Sequence, residues 1–587
     1  MSVKQALNKV NRNYLILAFI TLFFLASNII WIKENQAPPM WDQAHYLLHS
    51  DILYHTFTKE GVIPFAKAFT DALKTKAPLI TILPIPFYLL FGDNEASALY
   101  VNLAFIILGS CFMYKLAVLI SGPREGLFSV FILNTFPLIF AMSREFYVEY
   151  GLMVIVIIWM YYLLKSDCFD DRIYSYVLGI ILGLGMLMKI TFVLYIIFPT
   201  LFIFIERVIK SKKISSLSFK NIFIVVLTGV LVSGTWYFKN LRHILGFVWT
   251  SGYGSIAKNY GWGNVFSIKT ILIYWGYAVI YGISIYYFLL MIFLIFGRLI
   301  SFFNNEYPAD IKRKYVLFLS IWFVVPFLVF TFGENKDYRY AAPLYPALAL
   351  LMSIHLARIS SRFYGTILLF VLLLFPALNY LFISFSSKPF SFNIRQVTVF
   401  SHYLAFAHPP IKEQWPYKIL IKAIHEEASR TNNTNALTTL LFDHEYMNHI
   451  TSNYYAENNH MKIRFETCDY YSKEDVKETA DRIERNSDYL VTKSDKLGPD
   501  FSNVKNAAVT FLMNEGKLNF RKILTIPLPD QTFLTVYKKN LDDLVFSSID
   551  KVKDYQTTSY GYNSLSGTGT ITVTPFIRHL HLDRHKQ

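Results

Sequence analysis

Long apolar stretches separated by short polar segments fill the chain from Leu15 to about Ser384. A helix needs about 20 mainly apolar residues to cross a bilayer. The pattern therefore predicts a polytopic α-helical membrane protein with about eleven spans. We place these at residues 13–33, 97–120, 126–142, 149–165, 174–189, 190–206, 220–238, 270–297, 314–332, 340–357 and 363–384.

A shorter apolar run, Pro78 to Phe91, is predicted not to cross. It has 14 residues and contains Pro84 and Pro86, which fits an interfacial or re-entrant helix better than a span. Leaving it out also makes the loop charges consistent. Counting it as a span would move the three basic loops that follow it, at 207–220, 298–314 and near 358–362, to the outside.

Basic loops predict the orientation of the spans. Lysine and arginine concentrate at 207–220, at 298–314, near 358–362 and before the first span. The positive-inside rule places these segments in the cytoplasm. The predicted outer face then holds 34–96, 143–148, the turn at Lys189, 239–269, 333–339 and everything after about residue 385.

The pattern changes after about residue 412, where short apolar runs alternate with amphipathic stretches. Such alternation predicts a small α/β domain with a mainly parallel sheet, closed by a hairpin over 520–537. The predicted domains are a transmembrane domain (1–385), a linker (386–411), an extracytoplasmic α/β domain (412–540) and a polar tail (541–587).

Composition agrees with a membrane protein. The chain of 587 residues is 54% hydrophobic, which is far too apolar for a soluble protein of this length. Its net charge of +15 suits cytoplasmic loops beside anionic lipid. Nucleic-acid binding is disfavoured because the sequence has no soluble basic domain to carry it. Three scattered cysteines show neither metal-ligand spacing nor a disulfide framework.

Charged residues beside or inside the spans are the candidates for function, because a charge at the centre of a span costs about 2.5–3.5 kcal/mol. On the predicted topology they all fall at the outer face, which predicts one polar site served by many helices. They are Asp42, Lys76, Glu149, Lys189, Lys239 and Arg339.

Most of these candidates also have a structural interpretation. Asp42 follows Pro38 and Pro39 and can simply cap a new helix, on which Tyr46 falls along the same face. Lys76 can be an interfacial anchor. Arg144 and the neighbouring glutamates Glu145 and Glu149 can neutralise one another.

Lys189 and Arg339 also have structural interpretations. Lys189 ends the segment Gly183-Leu-Gly185-Met-Leu-Met-Lys189, whose glycines favour close helix packing. Arg339 can belong to an aromatic-basic belt. Two carboxylates and several cations at one face nevertheless predict a site for an anionic, phosphorylated substrate.

The order of these motifs resembles the GT-C superfamily of membrane glycosyltransferases, and most of all protein O-mannosyltransferases and bacterial aminoarabinose (lipid A) transferases. The resemblance covers roughly residues 10–385. It rests on the acid in the first outer loop, the Lys76-Ala-Pro78-Leu79 element closing with Phe91-Gly92, and three later motifs. These are Gly183-x-Gly185-x-x-x-Lys189, Gly234-Thr-Trp236-Tyr-Phe-Lys239-Asn240 and Arg339-Tyr340-x-x-Pro343-x-x-Pro346.

The resemblance implies transfer of a sugar from a polyprenyl-phosphate donor with inversion. It implies that Asp42 is the catalytic acid of the first loop and Glu149 a second one. Lys76, Lys189 and Arg339 would contact the donor phosphate, and we add Tyr46, Arg144 and Lys239 as substrate-binding candidates.

The chain departs from the family at Gln43, where a second acid is common, and at Ala77, where a first proline is common. Without the acid pair we expect no obligatory metal, although Glu149 and His45 leave room for a divalent cation.

The sequence thus predicts a glycosyltransferase in a bacterial inner membrane, active at the outer face on a lipid, glycan or protein acceptor. One alternative is a transporter or flippase of an anionic lipid or sugar, which also needs charges and broken helices. Against it, the sequence shows no internal repeat. Another is a membrane scaffold whose outer domain binds partners, which would not need Asp42.

The predicted topology can be tested by cysteine labelling in intact cells. An impermeant reagent is expected to reach a cysteine introduced at Asn459, and Cys468 if that residue is exposed in the fold. It should not reach a cysteine introduced at Lys212, because the positive-inside rule places that loop in the cytoplasm. Labelling at position 212 from outside would contradict both the topology and the single-face site.

Overall fold

The computed structural model describes residues 3–211, 216–303, 313–359, 363–394, 397–401, 403–404, 406–468 and 474–540. The predicted polar tail, 541–587, and much of the basic loops lie outside these residues. The described chain divides into two compact units, one ending at Gln414 and one beginning at Trp415.

The first unit is helical. Its helices are α1 Val3–Glu34, α2 Trp41–His55, α3 Val62–Asp71, α4 Leu79–Ile82, α5 Ile85–Phe91, α6 Glu95–Ile120, α7 Pro123–Thr135, α8 Pro137–Met142, α9 Val148–Lys165, α10 Arg172–Met188, α11 Phe192–Ser211, α12 Ser216–Gly252, α13 Ser255–Asn259, α14 Ile268–Tyr277, α15 Ile285–Phe303, α16 Arg313–Phe332, α17 Tyr345–Ile359 and α18 Phe363–Phe385. Two π-helical turns, Thr56–Glu60 and Ala278–Ile283, and a 3₁₀ helix, Tyr338–Leu344, complete it.

Within the described residues, seven helices are long and apolar enough to cross a membrane, or eight if one bent pair counts as a span. The chain is therefore a multi-pass membrane protein. Shorter apolar helices lie at Leu79–Phe91, Arg172–Met188 and Leu373–Phe385. The total of eleven crossings stays a prediction, because two of the predicted spans, 126–142 and 174–189, coincide with a broken helix pair and a 17-residue helix.

The predicted single span 270–297 is wrong in detail, because its two halves, α14 with its π turn and α15, are bent by 103°. A π turn over Ala278–Ile283 ends at Ser284, whose φ is +77°. Contacts from Tyr345 stabilise the break between the two helices. Its hydroxyl donates to the Ala278 carbonyl at 3.0 Å, and its ring lies where a side chain at Gly282 would stand.

The run Pro78 to Phe91 forms two short helices, α4 and α5, of 4 and 7 residues. At about 1.5 Å per residue neither can cross a bilayer. The predicted outer loop 239–269 is also partly helical, because α12 continues through Lys239 to Gly252.

The segment 386–411, predicted as a linker, belongs to the first unit. Its described residues include an antiparallel pair of strands, β1 Ser391–Ile394 and β2 Val397–Ser401. Farther on, the indole of Trp31 in α1 donates to the His408 carbonyl at 2.9 Å. These contacts bring residues distant in sequence next to α1.

The second unit is an α/β fold. Over 415–468 and 474–540 its sheet has the strand order β4-β3-β5-β7-β6, in which β3 is parallel to β4 and β5, and β7 is antiparallel to β5 and β6. Apolar clusters on both faces pack under helices. The elements are α19 Tyr417–Arg430, β3 Ala436–Leu440, α20 His449–Asn458, β4 Ile463–Thr467, α21 Val476–Asn486, β5 Tyr489–Lys493, α22 Asp500–Asn514, β6 Phe520–Pro527 and β7 Phe533–Lys539.

Cys468 is completely buried in one of these clusters. It cannot report on topology by labelling, whereas Asn459 is exposed and can.

Glycines bring α10 and α12 into close contact, as the helix-packing interpretation of this segment predicts. A Cβ at Gly179 would lie 2.5 Å from Thr228 Cβ and 2.9 Å from the Val225 carbonyl oxygen. One turn farther along α10, Gly183 faces Val232 in the same way. The backbones of the two helices therefore approach at a distance that any side chain would prevent.

Replacing Gly179 with alanine should push α10 away from α12, at a cost of about 1–3 kcal/mol for overpacking. The measurement is the melting temperature of the purified protein in detergent. Gly246→Ala is the matched control, since that α12 glycine has open space around it and alanine favours helix. Equal melting temperatures for the two variants would contradict the close packing.

Candidate active site

Asp42 lies in the first turn of α2, where the backbone leaves the Pro38-Pro39 segment. The N-cap of this helix is Met40, which makes no side-chain cap hydrogen bond. The interpretation of Asp42 as the N-cap is therefore wrong. Its carboxylate is instead stabilised by the positive end of the helix dipole, and it also lies next to the cations Lys76 and Arg339.

Two cations hold the Asp42 carboxylate. Lys76 Nζ donates to Oδ1 at 2.6 Å, and Arg339 Nη2 lies 3.9 Å from Oδ2. Partial burial raises the pKa of Asp42, but Lys76 and Arg339 together lower it by more, so that it lies well below its usual range. The carboxylate is therefore ionised throughout the physiological pH range.

Arg339 is fixed from several sides. Asp337, two residues earlier, accepts from its Nε at 2.8 Å. The guanidinium lies over the ring of Tyr147 at 4.3 Å and near that of Phe406 at 5.5 Å. A planar cation held between aromatic rings and a carboxylate keeps its orientation, which suits it to bidentate recognition.

A second ion pair adjoins the first. Lys189 Nζ donates to Glu149 Oε1 at 2.7 Å and lies 4.3 Å from the centre of the Tyr340 ring. Glu149 is 3% exposed, and within the described residues its second oxygen, Oε2, has no hydrogen-bond partner. Arg339 also interacts electrostatically with Glu149, so the two pairs form one cluster.

Helix ends create this cluster. Asp42 and Glu149 occupy the first turns of α2 and α9, and Lys189 is the C-cap of α10. Acids at N-termini and a cation at a C-terminus are each favoured by the helix dipole. Tyr46 lies one turn after Asp42, is buried, and its ring centre is 5.5 Å from Lys76 Nζ.

Arg144 lies outside the cluster. It is 2% exposed and donates to Asn28 at 3.0 Å, to Tyr380 at 3.1 Å and to Ser384 at 2.7 Å. These partners belong to α1 and α18. Arg144 therefore joins helices at this point, and the expected neutralisation by neighbouring glutamates is wrong, because its hydrogen bonds go to hydroxyls and an amide.

Lys239 is also separate from the cluster. It pairs with Asp71 at 2.7 Å, with both side chains 43% exposed. Its neighbours Trp236 and Asn240 donate to the carbonyls of Ala72 and Thr70, at 3.2 and 2.9 Å. The motif around Lys239 thus fastens the end of α3 to α12, and Lys239 as a substrate contact stays a prediction.

Sequence reasoning missed a buried network beside the cluster. The Gln43 side chain donates to Glu145 and accepts from the Phe146 N–H at 3.0 Å, while His408 Nε2 lies 3.8 Å from Glu145 Oε1. Burial raises the pKa of Glu145 to about 8 and lowers that of His408 to about 4. Near pH 7 both are neutral, so Gln43 ties α2 to the 143–147 turn without adding charge.

Sequence reasoning also missed Asp337 as a part of the cluster, where it accepts a hydrogen bond from Arg339.

Comparisons with known proteins give a family and a fold for this chain. A family model described as dolichyl-phosphate-mannose-protein mannosyltransferase matches residues 75–236, which include Lys76, Glu149 and Lys189. No curated protein matches the sequence.

Three solved structures share the fold. ArnT from Cupriavidus metallidurans, bound to undecaprenyl phosphate, is 13% identical with a TM-score of 0.51, over 89% of this chain and 97% of that one. The archaeal oligosaccharyltransferase AglB from Archaeoglobus fulgidus, with an inhibitory peptide and a dolichol-phosphate, is 11% identical with a TM-score of 0.50, over 92% and 76%. The arabinofuranosyltransferase AftD from Mycobacteria is 12% identical with a TM-score of 0.51, over 90% and 40%.

The chain therefore has the fold of the GT-C membrane glycosyltransferases, and the resemblance predicted from its motifs is confirmed.

Arg144→Met should destabilise the protein strongly, because it removes several buried hydrogen bonds from a charged donor, each worth about 1.5–3 kcal/mol. Lys239→Met makes the same change at an exposed ion pair, worth about 0–1 kcal/mol. Thermal unfolding of the purified variants measures the difference. If the Arg144→Met and Lys239→Met proteins had the same melting temperature, Arg144 would not hold α1 and α18 together.

Proposed function

We propose that the chain transfers a sugar from a polyprenyl-phosphate-linked donor to a lipid, glycan or protein acceptor, with inversion at the anomeric carbon. The observation that carries this proposal is the Asp42 carboxylate held between Lys76 and Arg339. The fold supports it, as do the undecaprenyl phosphate bound by ArnT and the dolichol-phosphate in the AglB complex.

The donor phosphate is bound by Lys76, Lys189 and Arg339. In the structure these cations face Asp42, Glu149 and Asp337, so the charges are already matched. An incoming phosphate must share the cations with the carboxylates. Arg339 offers it a bidentate contact, and Lys76 and Lys189 act as point charges on either side.

Asp42 is the general base. An inverting transfer needs the acceptor hydroxyl or amine to attack opposite the leaving phosphate, with its proton taken by a nearby group. The low pKa of Asp42 is due to Lys76 and Arg339. When the donor phosphate draws these cations toward itself, the pKa of Asp42 rises and its carboxylate becomes a better base.

Glu149 positions the acceptor. Its Oε1 is held by Lys189, while Oε2 is buried and has no hydrogen-bond partner within the described residues. A buried acceptor of this kind favours a ligand that donates a hydrogen bond. Tyr46 lines the same place, beside Asp42 and Lys76.

The transfer step does not require a metal at Asp42. Lys76 Nζ stands 2.6 Å from the carboxylate and supplies the positive charge that an ion would bring there. Glu149 has its own partner in Lys189, so a divalent ion shared with His45 is not needed either.

The site faces the outside of a bacterial inner membrane, and by the same topology the chain after the last span is extracytoplasmic. The support is the charge of the loops, since in the sequence the basic segments adjoin the opposite ends of the predicted spans.

A transporter or flippase is not favoured. Alternating access needs a site near the bilayer midplane, formed by broken helices within repeats. Asp42, Glu149 and Lys189 lie instead at the ends of α2, α9 and α10.

The proposal predicts a separation of transfer from donor binding. Asp42→Asn should lower turnover by about 10²–10⁴-fold while donor affinity stays near normal. Arg339→Lys should weaken donor binding roughly ten- to a hundredfold, because the bidentate contact is lost. Donor binding and sugar transfer are measured on the same detergent-purified protein with a polyprenyl-phosphate sugar, and Glu149→Gln should give a smaller loss of turnover than Asp42→Asn.

Asp71→Asn is the matched control, because Asp71 also pairs with a lysine in the same outer segment, at 2.7 Å. It should leave turnover near the wild-type value. Full transfer activity of a folded Asp42→Asn protein would refute the role of Asp42. Unchanged donor affinity in Arg339→Lys would refute the phosphate site.

A further inference from the structure

A second cluster of metal-ligand side chains lies at the other end of α2. Asp51 and His55 are four residues apart and share one face of the helix. His55 Nε2 lies 3.6 Å from Asp51 Oδ1 and 3.2 Å from Oδ2 of Asp93, in the loop between α5 and α6. One ligand atom from each residue lies within 4.8 Å of the others.

We propose that Asp51, His55 and Asp93 form a binding site for a divalent cation of the zinc class. The donors are two carboxylates and an imidazole nitrogen, a set that zinc accepts with a water in the fourth position. Calcium needs six to eight oxygen ligands, which this cluster does not supply. The occupant is thus a borderline transition-metal ion.

Burial makes a divalent ion favourable here. Asp51 is 2% exposed, His55 20% and Asp93 38%. A buried carboxylate beside another one requires positive charge close by. A divalent cation carries the charge that matches the two carboxylates of the cluster.

The site is distinct from the reaction centre. Asp51 follows Asp42 by nine residues on the same helix, which is about 13 Å at 1.5 Å per residue. Asp93 directly follows Gly92, whose φ of +85° turns the chain at the end of α5. The metal would therefore join the far end of α2 to the segment that begins at Lys76, and so hold together the two elements that carry Asp42 and Lys76.

Aromatic rings cover one side of the cluster. Tyr54 contacts His55 and Tyr88, with ring centres 5.2 and 5.4 Å apart. Such packing limits the rotation of the imidazole and so helps to orient it as a ligand.

The test is metal binding by the full-length protein in detergent, after removal of any affinity tag. All proteins carry His579→Gln, His581→Gln and His585→Gln, so that histidines near the C-terminus do not contribute. After treatment with a chelator, zinc is titrated and cobalt(II) serves as a spectroscopic probe. We expect one tight site per chain, with visible cobalt bands and a melting temperature raised by zinc.

Asp51→Asn, His55→Gln and Asp93→Asn should each weaken binding by at least about tenfold, since even outer-shell partners of a metal contribute 10–100-fold. Glu60→Gln and His243→Gln are the matched controls, being an exposed acid and an exposed histidine elsewhere in the chain, and they should bind zinc like the parent protein. Absence of stoichiometric zinc in the parent would overturn the proposal and leave the cluster as a protonated histidine between carboxylates.

Equal binding by folded Asp93→Asn and parent would overturn it as well. If Asp51→Asn failed to fold, the half-exposed Asp93 would still decide the matter. None of these measurements uses sugar transfer, so the outcome is independent of the proposed function.

Discussion

The structure depends on the pairing of charges at the ends of apolar helices. A lone carboxylate or ammonium beside hydrocarbon costs several kcal/mol, so each must lie close to an opposite charge. Helix termini offer the place, because the backbone dipole already favours acids at N-termini and cations at C-termini. Asp42, Glu149 and Lys189 occupy such positions, and Arg339 completes the cluster from a 3₁₀ helix. Pairing makes the cluster stable without ligand and responsive to a phosphate that competes for the same cations.

Much of this was predictable from the sequence. Charges that interrupt apolar runs are rare enough to attract attention singly, and their order gave the GT-C resemblance. The five residues Asp42, Lys76, Glu149, Lys189 and Arg339 do lie together. Arg144 was predicted at the same place because it is adjacent in sequence, but the turn after α8 directs its side chain toward α1 and α18. The direction of a side chain in a tight turn is set by tertiary packing, which hydropathy does not report.

The missed residues have a common reason. Gln43 and Glu145 are 102 residues apart, and Trp31 and His408 are 377 apart. No local pattern marks such pairs, and the segment 386–411 was predicted only as a linker between the two domains. The bend after α14 was missed in a similar way. It depends on Tyr345, far along the chain, which contacts Ala278 and needs a glycine at 282. Periodicity identifies helices well, but a break caused by a distant ring leaves no periodic signal.

The length of α12 has a consequence for the height of the site. Its 37 residues span about 56 Å at 1.5 Å per residue, whereas the hydrocarbon core is about 30 Å thick. The contacts from Trp236, Lys239 and Asn240 to residues 70–72 attach the outer segment to a fixed level on this rod. The helix thereby holds residues 70–72, and the segment that leads to Lys76, at a fixed position along its length. For the polyprenyl-phosphate donor proposed above, such a fixed position would select substrates by the distance between the lipid tail and the reactive group.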